Sequence, residues 1–243
     1  MADIEKNLRD VQERIRIAAE KAGRNPNDIT LIAVSKTWPP ETIVIANQLG
    51  IRHFGENRVE EAEKKIPQVT QQLETIALSN YPTIQLTWHM VGHIQHRKVK
   101  DAIRLFDFIH SVDSASLAER LNRRASAEGK VIPVLLEVNV SGETTKYGFH
   151  REVLLAAVAD ILMLPHLNVQ GLMTIAPIVS NQDDARPYFR ALRELRDDLR
   201  SRFPEHAWQH LSMGMTDDFE AAIAEGATLI RIGRAIFGER PHP

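Results

Sequence analysis

Apolar positions in the first two dozen residues fall three and four apart. Ile4, Leu8, Val11, Ile15, Ala18 and Ala22 form one stripe of a helix, which Gly23 and Pro26 end. Beyond them the period changes. Short β-branched runs alternate with helical patterns, as expected of repeated βα units in a parallel sheet. The runs predict strands over 31–35, 51–55, 87–92, 108–112, 132–140, 169–176, 208–212 and 229–232. Helices are predicted over 40–49, 58–78, 95–105, 115–128, 151–163, 183–203 and 217–225, with a last short one after Gly233. Eight strands with helices between them match a single α/β domain, a (βα)8 TIM barrel over residues 1–243 with an additional N-terminal helix. The rival doubly wound sheet lacks its fingerprints, since neither G-x-G-x-x-G after the first strand nor G-x-x-x-x-G-K-[ST] occurs. The longest loops, 79–86, 141–148 and 177–187, read as insertions within units.

Composition removes several classes of function. Lys plus Arg is 30 and Asp plus Glu is 32, a formal charge of −2, which exerts no general pull toward nucleic acid or anionic membranes. There is no cysteine, hence no disulfide, thiol nucleophile or Cys-ligated zinc. The longest apolar stretch, 153–159, is far shorter than the roughly 20 residues a membrane span needs. The N-terminus is charged from the start and carries no apolar signal core. The expectation is a soluble cytoplasmic protein.

In a parallel barrel the strands' C-terminal ends form one rim, where active sites are built. Polar residues gather there: Ser35-Lys36-Thr37, Glu56-Asn57, His89 with His93, Asp113, Asn139, Thr174, Ser212 and Arg231. Lys36 emerges from the first strand beside the mouth, where a desolvated amine can attack a carbonyl to form a Schiff base; the plainer reading is a lysine reaching past the strand to water or a carboxylate. Ser212-Met213-Gly214 and Gly233-Arg234 make two glycine turns after strands 7 and 8, a common phosphate site in this fold, or two ordinary βα turns. Asp217 and Asp218 would repel a phosphate unless they face away along their helix. Arg231 can donate to a pyridine nitrogen and keep it unprotonated, or form a rim salt bridge. His89, His93 and His96 invite a metal, but Gly92 interrupts any common helical face, so no metal is expected. The basic run 96–100 reads as a solvated helix face, and Tyr147 as loop packing with an acid/base role as the alternative.

Jointly these stretches carry a resemblance: Val34-Ser35-Lys36, His53-Phe54-Gly55-Glu56-Asn57, Trp88-His89-Met90-Val91-Gly92-His93, Glu137-Val138-Asn139-Val140-Ser141-Gly142, Gly171-Leu172-Met173-Thr174, Leu211-Ser212-Met213-Gly214-Met215 and Ile230-Arg231-Ile232-Gly233. In this order they resemble the pyridoxal 5′-phosphate homeostasis protein family, relatives of the N-terminal barrel of alanine racemase. The resemblance implies pyridoxal 5′-phosphate bound to Lys36 as a Schiff base and Arg231 at the pyridine nitrogen. It further implies Asn57 as a rim contact, with phosphate held by Ser212 and amides near Met213–Gly214 and Gly233–Arg234. Met90, Arg97 and Arg234 depart from the common pattern, and Arg234 adds a cation near the phosphate. In the racemases a second domain supplies the opposing tyrosine, and this chain ends shortly after strand 8. The expectation is therefore a non-catalytic, monomeric carrier in vitamin B6 homeostasis that passes cofactor to PLP-accepting enzymes. A PLP-dependent amino-acid racemase and a class I aldolase-type barrel are the alternatives.

Overall fold

A computed structural model describes residues 3–78 and 85–239. Its eight strands are β1 (Thr30–Val34), β2 (His53–Glu56), β3 (Thr87–Met90), β4 (Phe108–Val112), β5 (Ile132–Glu137), β6 (Leu167–Met173), β7 (His210–Ser212) and β8 (Leu229–Ile232). Each pairs in parallel with the next, and β8 closes on β1 through Ile32 opposite Arg231 and Ala33 opposite Ile232. The helices are α1 (Ile4–Lys21), α2 (Pro40–Gln48), α3 (Val59–Leu78), α4 (Val99–Leu105), α5 (Ala115–Ala127), α6 (Arg151–Leu162), α7 (Arg186–Arg202), α8 (Phe219–Ala224) and α9 (Arg234–Phe237). The expected barrel and its added first helix are both present.

α1 is capped by Asp3, whose carboxylate accepts from the Lys6 amide. Its stripe of Leu8, Val11, Ile15 and Ala18 is buried, at roughly 1.5–3 kcal/mol for each large aliphatic side chain. It packs on α8 and α9, where the Asn7 amide donates to the Ile236 carbonyl at 3.0 Å. The extra helix thus backs the turn that follows β8.

Several boundaries differ from expectation for local reasons. β5 stops at Glu137 because Asn139 organises the next loop, its side chain donating to the Glu143 carbonyl and accepting from the Gly142 amide. The helix expected over 95–105 begins as a 3-10 turn at His96–Lys98. The loop expected over 177–187 contains another 3-10 turn, Gln182–Ala185, followed by the start of α7 with Pro187 in its first turn. Of the loop expected at 79–86, residues 79–84 lie outside the described residues.

Two strands carry an extra residue. Between β4 and β5, Ile109 opposes Val134 and Val112 opposes Leu136, so β4 advances three while β5 advances two. β6 has a similar irregularity, with Val134 opposite Val169 but Leu135 opposite Gly171. Ile109, Val112, Val134 and Leu136 belong to the outer core between sheet and helices. Phe108, Leu135, Met173, Leu229 and Ile32 form a separate cluster inside the barrel.

Candidate functional site

Lys36 follows the inward-facing positions Ile32 and Val34 and is partly buried at the end of β1. Both its neighbours are tied down from behind the wall. The Lys65 amine, on α3, donates to the Ser35 carbonyl at 2.9 Å, to Glu56 at 2.8 Å and to Glu61 at 2.6 Å. Ser35 donates its hydroxyl to Glu56 at 2.7 Å, and the Thr37 amide donates to Glu61 at 2.6 Å. Thr37 has φ of 69°, a left-handed conformation costly for a β-branched residue. Burial raises the Glu56 carboxyl above its ordinary range, with Lys65 and Ser35 pulling the other way. This network sets the direction in which the chain leaves Lys36. Lys65 and Glu61 went unnoticed as site residues; the available signal was a lysine on the buried stripe Val59, Ala62, Val69 of α3.

Across the mouth, Arg231 is buried inside the barrel at 5% exposure. Its guanidinium donates to the Ser212 hydroxyl at 2.6 Å and the Thr174 carbonyl at 2.9 Å. Burial lowers it to about 10, against Asp218 and Glu137, so it stays cationic at neutral pH. The turn after β7 depends on Gly214, which has φ of 91° and whose added Cβ would lie 2.6 Å from the Ala222 methyl. Its carbonyl accepts from the Arg231 amide, which couples the two turns. Gly233 approaches the end of β1, with its Cβ position 3.0 Å from the Val34 carbonyl oxygen. Asn57 follows β2, where the chain leaving β3 passes so close that a Cβ on Gly92 would stand 2.3 Å from the Asn57 backbone oxygen.

The two acids in the β7 turn do not point along α8 as expected. Asp218 folds back to accept from the Met215 amide at 2.6 Å, and Asp217 meets Arg234 through both oxygens at 2.6 and 2.7 Å. The Arg234 side chain therefore sits in an exposed ion pair while its backbone starts α9. The Met213 amide donates to the Leu229 carbonyl, and its side chain is core.

The three histidines considered for a metal are sent to different places. His89 lies inside the barrel between His53 and His110, His93 meets Asp113 at 2.7 Å, and His96 opens the 3-10 turn. The His93 ring stacks on Tyr147 at 3.8 Å between centroids, so the two rim groups read separately in the sequence are one cluster. Beside it, burial and then Asp113 raise the Glu137 carboxyl to about 7, with Arg231 opposing. Glu137, His53, His110 and His210 were not singled out from sequence as site residues. Their shared signal is a polar residue at an inward position of a strand.

A closed parallel barrel with a lysine ending β1 and a buried arginine in β8 defines the class to which this chain is similar. The family model described as alanine racemase, N-terminal domain, matches residues 6–241. The chain is 46% identical to the pyridoxal phosphate homeostasis protein of Aquifex aeolicus over 96% of each chain, and 41% identical to that of Pseudomonas aeruginosa over 100% of this chain and 98% of the relative. The structure of PipY from Synechococcus elongatus with PLP bound matches at 35% identity with a TM-score of 0.80, covering 97% of this chain and 100% of that one. The chain belongs to the alanine racemase N-terminal domain family and, within it, to the pyridoxal phosphate homeostasis proteins. An alanine racemase of Clostridium difficile, 18% identical with a TM-score of 0.67, shares the fold over 57% of its own length.

Proposed function

We propose that this chain holds pyridoxal 5′-phosphate reversibly at the barrel mouth and releases it to PLP-accepting enzymes, without transforming amino acids. The observation that carries the reading is a buried, anchored guanidinium beneath a mouth edged by Lys36 and by two glycine turns. That donor set suits an aldehyde, a pyridine nitrogen and a phosphate. Both turns need glycine to pack closely, since a Cβ at Gly214 would press on Ala222 and one at Gly233 on the Val34 carbonyl.

In this reading the Lys36 amine condenses with the aldehyde to a Schiff base, with water leaving. Arg231 donates to the ring nitrogen and keeps it unprotonated, which makes the ring a poor electron sink and argues against transamination. The amides of Gly214, Gly233 and Arg234 and the Ser212 hydroxyl receive the phosphate; Met213 anchors their turn, and Asn57 meets the ring from the rim. Residues 1–243 act as one domain, as a monomer in the cytoplasm. The homeostasis name of the relatives and the PLP bound to PipY support the reading.

Purified protein mixed with the cofactor is expected to turn yellow, and borohydride to fix the adduct on Lys36. An adduct on another lysine overturns the assignment. Solvent deuterium entering Cα of single-enantiomer amino acids tests the racemase alternative, in which Lys36 is one base and Tyr147 or a rim histidine such as His93 the second. Rapid exchange overturns the carrier reading.

A further inference from the structure

Barrel interiors are usually filled by bulky branched side chains. Here a hydrogen-bonded line of imidazoles crosses the interior beside the apolar cluster of Ile32, Phe108 and Leu135. His53 Nδ1 lies 3.0 Å from His89 Nε2, His89 Nδ1 lies 2.9 Å from His110 Nε2, and His110 Nδ1 lies 2.9 Å from Ser212 Oγ. Arg231 then donates to that same oxygen at 2.6 Å. The line runs from the first residue of β2, at the N-terminal face of the barrel, to the arginine beneath the mouth.

A neutral imidazole has one donor and one acceptor nitrogen, so each ring dictates the tautomer of the next. Only two arrangements satisfy every contact. In one, Ser212 donates its hydroxyl proton to His110, His110 donates to His89, and His89 to His53. In the other, His53 donates from Nδ1, every following ring donates from Nδ1, and Ser212 accepts from both His110 and Arg231. The Ser212 proton must then find an acceptor outside the line. A doubly protonated His53 permits the second arrangement alone.

We propose that His53, His89 and His110 are a directional relay that links the protonation of His53 to an anionic ligand group accepting from the Ser212 hydroxyl. The ligand half rests on the carrier reading above, in which that group is the cofactor phosphate. Linkage makes the coupling reciprocal: a ligand that selects the second arrangement raises the affinity of His53 for a proton, and acid favours the ligand contact. The entry point for the proton is His53, which is partly exposed, whereas His89 and His110 are buried and stay neutral. Burial holds His89 at about 3 and His110 well below the ordinary histidine value. The groups facing the line are Arg52 beside His53, His210 on β7 beside His89 and His110, and Arg231 on β8 beside His110; each disfavours added positive charge.

The test is nitrogen-detected NMR of histidine tautomers in the full chain, without and with pyridoxal phosphate. In the ligand-free protein, His89 and His110 are expected to carry their protons on Nδ1 once His53 is protonated. A proton on Nε2 of either ring at that point overturns the relay. Saturation with the cofactor is expected to raise the His53 midpoint by about 0.5–1 pH unit, and Ser212→Ala to abolish the rise. An unmoved midpoint in the bound wild type, or a rise that survives Ser212→Ala, overturns the coupling. Should Ser212→Ala fail to fold, His89→Phe breaks the line one ring further back and carries the same expectation. Failure of the cofactor to bind overturns the carrier reading and the ligand half with it, while the acid-driven tautomer result still decides the relay.

Discussion

Behind the barrel wall, Lys65 meets Glu56 and Glu61 as a desolvated ion cluster; inside the wall, His53, His89 and His110 meet as hydrogen-bonded rings. Both assemblies are polar and largely buried; the first holds Ser35 and Thr37 on either side of Lys36, and the second ends on Ser212. They differ in what burial costs. Charges taken from water lose several kcal/mol each and recover it only through well-formed pairing. Neutral imidazoles lose much less and ask only that each donor find an acceptor. The charged cluster has one fixed arrangement and suits holding the Lys36 turn still. The neutral line has two hydrogen-bonded arrangements and suits transmitting a change.

The largest effect expected from this difference is at Lys65. Lys65→Met leaves Glu56 without its main counter-charge and should cost about 3–5 kcal/mol in chemical denaturation, most of it restored by adding Glu56→Leu. A loss under about 1 kcal/mol would erase the distinction between the two assemblies.

Acid should act mainly on the other region. His89 and His110 have lowered folded values, so below pH 6.5 the unfolded chain binds protons that they refuse. Their stabilisation is therefore present above 6.5 and lost as pH falls, by about 1.4 kcal/mol per pH unit for each ring. Glu137 has the opposite sign: raised from 4.5 to about 7, it makes the fold bind the extra proton, so its contribution declines as pH rises through that window. Four lowered histidines, His53 and His210 with these two rings, oppose the raised carboxyls of Glu137, Glu56 and Asp218, and unfolding between pH 6.5 and 5.5 should show a net loss on acidification. His89→Phe should flatten that slope, and an unchanged slope would detach acid sensitivity from the relay.

Smaller effects belong to the turns. Gly214→Ala meets both a positive φ and the Ala222 methyl and should cost about 1–3 kcal/mol, with weaker cofactor binding by titration. Thr37→Gly relieves a left-handed threonine and should raise stability by up to about 1 kcal/mol. Its expected penalty is slower formation of the borohydride-reducible adduct, because the turn after Lys36 loosens. Unchanged adduct kinetics would show that Glu61 alone holds the turn.

The barrel was legible because alternating runs and glycine turns declare themselves locally. Lys36, Arg231 and the two turns were legible for the same reason, each ending or following a strand. The partners that orient them were not. Lys65 lies nine residues from Glu56 and thirty from Ser35, among the charges of a long helix, and only the fold reveals that its face is dry. Ser212 read as a phosphate ligand, and nothing in its neighbourhood in the chain announces that 102 residues earlier His110 will meet its hydroxyl. Asp217 and Arg234 are each ordinary turn residues until two neighbouring strands bring them face to face.

The extra residue in β4 acts as a frame shift in space. Before it, Phe108 and His110 face the interior; after it, Val112 has turned to the outer core and Asp113 reaches His93 at the rim. In a regular strand of the same sequence, with no bulge, alternation would send Val112 inward and Asp113 into the apolar layer beneath the helices. One added residue lets a five-residue strand belong to two polar systems, the histidine line below and the acid–histidine pair above. Straightening the bulge with every residue kept would exchange a valine for a carboxylate in the core, so the local geometry of β4 is as constrained as the identity of its side chains.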